Sequence, residues 1–301
     1  MMTGLGKKRI EVSVHFRWEA HQFHRLLASC HRDEVVPYLL RHLKKQGPIL
    51  EAGCGLGRFI VFMERQGFHD VRGIDISPDA VAIVNEIAPT LKVTCGDVSN
   101  LPFDDSSIRG IVSLGVVEHF EEGPRAALKE FHRVMMPGAT AIITVPYLNL
   151  VRRFKHAVRV YQIGERMKGD RAAVPAVKLV MDDAVDRSIA HFDQGSLHKL
   201  RRGGPEFRRW PATGSFFEYR FGIKQFEKEL RPVGLSVLEI APIDAISGLY
   251  YEFGALLVTT SPDGGRDVTT LGRIFKGILA RAPWIHAHML LFVVQKPKSC
   301  D

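Results

Sequence analysis

Apolar and polar positions along the first half of the chain fall into short blocks whose period switches between helical and extended. Residues 14–46 read as helix, with His15, Trp18, Phe23, Leu26 and Leu27 ahead of VVPYLLRHL. A proline lacks the N–H and crowds the preceding turn, so Pro37 should break or restart this region. Gly47-Pro48 should stop it. The apolar run ILEAGCG then predicts a buried strand, and RFIVFMERQGF predicts a helix ending near Gly67. VRGIDIS, LKVTCGDV, IRGIVSLGVV and ATAIITVPY predict four more strands. The helices PDAVAIVNEIA and GPRAALKEFHRVM come between them, the first with Pro78 suited to its first position and Ser77 to its N-cap.

Strands and helices alternating at this spacing predict βαβ units with right-handed crossovers. The expected class is α/β, a doubly wound parallel sheet that binds ligands beyond the carboxyl ends of its strands. The alternation is lost over residues 148–215 and resumes in FGIKQFEKELRPVGLSVLEIAP, read as helix, turn and strand. The tail HMLLFVVQKP reads as a last strand. The chain therefore divides into an N-terminal helical region (1–46), a core (47–147), an insertion (148–215) and the remainder of the core (216–301).

Composition adds bounds. The chain has 301 residues, 46% hydrophobic and 25% charged, which suits a globular protein with a sizeable core. No apolar run approaches the ~18 residues of a membrane-spanning helix, and MMTGLGKKRIEV lacks the apolar stretch of a signal peptide. A cytoplasmic location is expected. Cys30, Cys54, Cys95 and Cys300 form no CxxC pair, so reduced thiols and no metal site are expected. The net charge of +8 is uneven, because residues 147–220 hold 15 Lys and Arg against 8 Asp and Glu. Such a field suits a phosphorylated or carboxylated substrate, a lipid headgroup or nucleic acid, or else marks a solvated basic face.

The chemistry begins at Gly53-Cys54-Gly55-Leu56-Gly57, between the first strand and the helix after it. Glycines let the backbone turn sharply and approach a ligand, and the helix start offers free N–H groups. The dinucleotide fingerprint G-x-G-x-x-G fails, since its third glycine would fall on Arg58. No GKS or GKT follows, so there is no phosphate-cradling loop. Asp75, at the end of the second strand, can accept two hydrogen bonds from ribose hydroxyls. Asp97, at the end of the third, can accept from an adenine amino group, with Val98 packed on the ring. Together these describe a site for an adenosine-containing ligand without a phosphate-binding element.

On ILEAGCGLGRF, GIDISPDAV, CGDVSNLPFDDSSIRGIVSLGVVEHF and EFHRVMMPGATAIITVPY, the chain resembles the class I S-adenosylmethionine-dependent methyltransferases. The likeness is to the type 11 group that contains the ubiquinone and menaquinone biosynthesis enzymes. It is close over 47–147, looser over 216–242 and absent over 148–215. It implies a Rossmann-like seven-stranded sheet of order 3-2-1-4-5-7-6, with the last strand antiparallel near 289–296 and a helical insertion after strand five. It implies S-adenosylmethionine as methyl donor. Glu51 would support the methionine end, which Gly53, Cys54, Gly55 and Gly57 would line. Asp75 would hold the ribose, with Ile76 beneath the adenine and Asp97 and Val98 around it. Leu114 and Gly115 would pass near the amino group and sulfonium.

Glu118 and His119 resemble an EH pair of quinone O-methyltransferases, which makes His119 the candidate base, the alternative being a structural histidine capping its loop. His191, Asp193, His198 and Tyr219 are further candidates. No NPPY or DPPY tetrapeptide follows strand four, which argues against the amino-methylating nucleic-acid enzymes. The insertion is basic and carries Phe154, Tyr161, Phe192, Phe207, Trp210 and Phe216, as an acceptor lid would. Arg152, Arg153, Arg201, Arg202, Arg208 and Arg209 are its candidate anion partners. A small-molecule or lipid-linked anionic acceptor is expected, with peripheral membrane contact compatible. RNA methylation, or a non-catalytic S-adenosylmethionine-binding partner protein, are the alternatives.

Overall fold

The N-terminal helical region is divided into α1 (Gln22–Ser29), a 3-10 turn at Cys30–Arg32 and α2 (Val36–His42). Pro37 sits in the first turn of α2, where its missing N–H has no partner to lose, so it restarts the helix. The computed structural model describes residues 18–155, 206–209, 216–260, 266–279 and 281–298. Five strands follow: β1 (Pro48–Ala52), β2 (Asp70–Asp75), β3 (Lys92–Cys95), β4 (Ile108–Leu114) and β5 (Met135–Pro146). Between them run α3 (Arg58–Arg65), α4 (Pro78–Ile87) and α5 (Arg125–Val134). The Ser77 hydroxyl accepts the Ala80 N–H (3.2 Å) and caps α4 as expected.

α6 (Ile223–Leu230), β6 (Ser236–Ile243) and β7 (Met289–Gln295) complete the sheet. Its order is β3-β2-β1-β4-β5-β7-β6. β1 to β5 are parallel, and β7 lies antiparallel between β5 and β6. This is the Rossmann-like order the resemblance implied. Successive strand residues point to opposite faces, and the central strands are apolar on both. Leu50, Ile111, Ile143 and Phe292 pack on one side with Phe131 of α5 and Phe226 of α6. Ile49, Val112, Ile142 and Leu291 pack on the other with Leu39 of α2 and Phe59 of α3. Among the described residues no helix is long and apolar enough to cross a membrane.

Between β6 and β7 stand elements that the sequence reading passed over. They are α7 (Ala245–Phe253), a small hairpin of Val258–Thr260 with Arg266–Val268, and α8 (Thr270–Leu279). A second hairpin pairs Glu206–Arg209 with Phe216–Arg220. Residues 150–155 begin a helix after β5. The rest of the expected helical insertion lies outside the described residues, as do Tyr161, His191, Phe192, Asp193, His198, Arg201, Arg202 and Trp210.

Arg152 differs from the sequence reading, which placed it among arginines facing an anionic acceptor. It is fully buried. Its Nε pairs with Glu252 of α7 (2.5 Å) and its Nη1 donates to the Tyr147 carbonyl (2.6 Å). Nη1 also reaches the His288 carbonyl (3.1 Å), and Nη2 lies 2.6 Å from His288 Nδ1. A guanidinium so occupied fastens the chain leaving β5 to α7 and the start of β7.

Candidate functional site

A cavity of about 480 Å³ opens at the carboxyl ends of β1, β2, β3 and β4. Glu51, Gly53, Cys54, Gly55, Asp75, Ile76, Asp97, Val98, Leu114, Gly115 and His119 all line it. Gly57 stands outside the lining. It is the left-handed N-cap of α3, with φ +71°, and its N–H donates to the Cys54 carbonyl (2.8 Å).

The glycine loop is pulled against β2, where the Gly53 and Cys54 N–H groups donate to the Ile74 carbonyl (2.8 and 3.1 Å). Gly53 has φ +82°, and a Cβ there would fall 2.3 Å from Val116. At Gly55 (φ +51°) a Cβ would fall 2.7 Å from the Trp18 ring. The backbone thus approaches its neighbours more closely than any side chain permits.

Asp75 is built into this loop. Its Oδ2 accepts the Gly55 N–H (2.7 Å) and its Oδ1 accepts the Ser77 N–H (2.9 Å). The carboxylate therefore ties the loop after β1 to the turn after β2, with lone pairs left on each oxygen for hydroxyl donors. Asp97 is arranged similarly, its Oδ1 accepting the Ser99 N–H (2.8 Å). Burial pushes the Cys54 thiol well above its ordinary pKa, and its sulfur fills the space beside Gly73. Cys54 is a packed thiol, not a nucleophile.

Glu51 is buried and its Oε2 has no hydrogen-bond partner. Burial pushes its carboxyl up to about 8, against the pull of the Arg58 guanidinium and the Ile60 N–H. A buried carboxyl with an idle oxygen suits a ligand that brings a cation or donor.

Also in the lining, His119 sits in a 3-10 turn, Val117–His119, that follows the left-handed turn at Gly115. The strand of the hairpin at Phe216–Arg220 lies over that turn. His119 Nδ1–H donates to the Phe217 carbonyl (2.7 Å). Burial lowers the His119 pKa, although that hydrogen bond and Glu218 pull it back up. The imidazole is therefore neutral near pH 7, with its lone pair on Nε2. Burial also pushes Glu118 well above the carboxylate range, and its Oε1 lies 3.9 Å from His119 Nε2. The Tyr219 hydroxyl donates to the Glu121 carbonyl (2.8 Å). Arg208 Nη1 pairs with Glu218 Oε1 (3.0 Å).

Trp18, Leu26, Arg58 and Phe120 also line the cavity, and the sequence reading gave them no role there. Trp18 showed only as one apolar position of a helix. Arg58 is held in place by Asp33 (2.8 Å) and by the face of Phe59.

A sheet of this order, with a glycine turn after β1 and acids after β2 and β3, defines the doubly wound folds that take an adenosine-containing ligand. Residues 50–143 match the family described as methyltransferase domain. A demethylmenaquinone methyltransferase of Chlorobaculum tepidum is 34% identical over 106 residues, 35% of this chain and 43% of that protein. A Homo sapiens protein named "Probable tRNA methyltransferase 9B" is 33% identical over 114 residues, 36% of this chain and 24% of its own length. The chain thus spans less than half the length of these curated relatives. Among solved structures, a SAM-dependent methyltransferase from Methanosarcina mazei shares the fold, with a TM-score of 0.51 and 18% identity. That match covers 87% of this chain and 98% of the other.

Proposed function

We propose that the protein transfers the methyl group of S-adenosylmethionine to an anionic acceptor, a small molecule or a lipid-linked one. The observation that carries this reading is that one cavity is lined by the glycine loop, Asp75 and Asp97 together with the buried His119. Glu51 would take the methionine ammonium, and Gly53, Cys54 and Gly55 would line the methionine chain, with Gly57 holding the loop. Asp75 would accept from the ribose and Asp97 from the adenine, the ring lying between Ile76 and Val98. Leu114 and Gly115 would flank the reacting end. The bound sulfonium supplies an already activated methyl group. What the chain adds is alignment and a dry site. For an acceptor that arrives protonated, His119 Nε2 would take the proton, with Phe217 fixing the tautomer.

The division into an N-terminal helical region (1–46), a cofactor core (47–147), a basic insertion (148–215) and a core remainder (216–301) belongs to this reading. The insertion would form the acceptor lid. Its surplus of Lys and Arg supports an anionic acceptor. The same charge, with a relative named for tRNA methylation, favours RNA as the second reading. Offering labelled methyl donor with lipid, small-molecule and RNA fractions of a cell extract separates the two. Label in the lipid or small-molecule fraction supports the first. Label confined to RNA, with acceptance falling steeply as salt rises, replaces it with the second. Calorimetry that detects neither S-adenosylmethionine nor its demethylated product removes both.

A further inference from the structure

α8 turns two apolar side chains, Leu271 and Ile274, outward. The helix is capped by Thr269, whose Oγ1 accepts the Gly272 N–H (2.9 Å). A Cβ at Gly272 would fall 2.0 Å from the Leu257 carbonyl oxygen, so that face of the helix lies flat against the preceding backbone. At about 100° per residue, Leu271 and Ile274 point about 100° and 160° away from it. They are 41% and 59% exposed. Leu256, in the turn after α7, is 63% exposed, and Trp284, just past α8, is 38% exposed. An amphipathic helix ordinarily faces its stripe to the core.

α8 and the segment after it are basic. From Thr269 to Met289 there is no Asp or Glu, while Arg273, Lys276 and Arg281 are present. Its place in the fold matters too. β7 begins at Met289 opposite Pro146, the carboxyl end of β5, and Trp284 stands edge-on to Tyr147 at 6.4 Å. The patch therefore belongs to the sheet edge on which the cavity opens.

We propose that α8, with Leu256 and Trp284, docks the protein on an anionic lipid surface. Leu256, Leu271 and Ile274 would enter the headgroup–acyl boundary, Arg273 and Arg281 would meet lipid phosphates, and the indole would sit at the interface. A second copy of this chain fits less well. A two-fold contact sets the same patch against itself, which here would oppose the like charges Arg273 and Arg281 of α8 and its exit. The docking does not depend on which acceptor is methylated. It would bring the mouth of the cavity to the membrane.

The test is flotation of the full chain with vesicles of phosphatidylcholine, with and without phosphatidylglycerol, at low and high salt. Binding is expected only to the anionic vesicles, weakening as salt rises. Leu271→Glu with Ile274→Glu should weaken it by roughly tenfold or more, while the circular dichroism spectrum and S-adenosylmethionine affinity stay unchanged. Both side chains are exposed, so the fold should tolerate the change. Wild-type protein that fails to float with anionic vesicles overturns the proposal. So does a folded double variant that floats as well as wild type. A concentration-dependent dimer abolished by the same substitutions, without vesicle binding, would assign the patch to a second copy instead.

Discussion

Removing the Glu51 carboxyl tests the ligand end of the cavity most directly. With its pKa raised to about 8 by burial, Glu51 is roughly nine-tenths protonated at pH 7. A ligand ammonium placed beside the idle Oε2 would favour the carboxylate and expel that proton. Binding of S-adenosylmethionine at pH 7 should then release up to ~0.9 proton per site. Calorimetry in two buffers of different ionisation enthalpy reads this as a difference in apparent binding enthalpy. Glu51→Gln, which keeps the shape, should abolish the difference and weaken binding. The free protein gives an independent reading. A carboxyl whose pKa is raised on folding stabilises the fold fully below the unfolded value of ~4.5, and that stability is lost as pH rises towards 8. The slope between those limits approaches ~1.4 kcal/mol per pH unit, and Glu51→Gln should flatten it. Equal buffer dependence in wild type and variant would refute the placement of Glu51 against the ligand cation.

Asp75→Ala removes two hydrogen bonds to a charged acceptor. Urea denaturation of the free protein should show a loss of about 2–4 kcal/mol, and calorimetry at least a tenfold weaker ligand. Loss of stability without loss of affinity would leave Asp75 a loop anchor only. His119→Gln should lower kcat by ~10²–10⁴ with cofactor affinity intact. Because burial lowers the His119 pKa, the acid limb of the wild-type pH–rate profile should lie below the ordinary histidine value of ~6.5. An unchanged kcat, or a limb above that value, would return His119 to a purely structural role. Arg152→Met leaves Glu252 buried with the Lys155 ion pair (3.0 Å). Stability should fall by about 3 kcal/mol, the low end for a broken buried pair, while cofactor affinity stays the same.

Those outcomes separate residues that were legible in the sequence from residues that were not, and the division has a physical basis. The glycine loop, Asp75 and Asp97 are legible because each closes a strand, and the sheet order brings strand ends together without help from distant side chains. Ser77 and Pro78 are legible because a cap is a local event, settled within one turn. Trp18 is not. Its ring covers Gly55 through packing between the N-terminal segment and the glycine loop, and apolar spacing reports only that one face is buried. Elements α7 and α8 were missed for a different reason. ISGLYYEF and TLGRIFKG carry exposed apolar residues such as Tyr251 and Ile274, so the buried-face periodicity that marks α3 and α5 is blurred.

Arg152 gives the sharpest lesson about charge. Counting Lys and Arg over 147–220 treats each one as part of an outward field. Arg152 instead meets Glu252, a hundred residues further along the chain. Although burial pushes Glu252 up, Arg152 and Lys155 hold its carboxyl below the ordinary value. That pair contributes nothing to a field at the acceptor. Arg208 is likewise engaged by Glu218, and Arg153 donates to the Leu148 carbonyl (3.0 Å). These three arginines therefore serve first to hold the chain leaving β5 and the hairpin over His119. Any charge selection of the acceptor by this segment must come from basic residues with no such engagement. The acceptor KM should accordingly respond less to Arg208→Ala than to neutralising basic residues of the segment that are not held this way, and steady-state kinetics on the two sets of variants measures the difference.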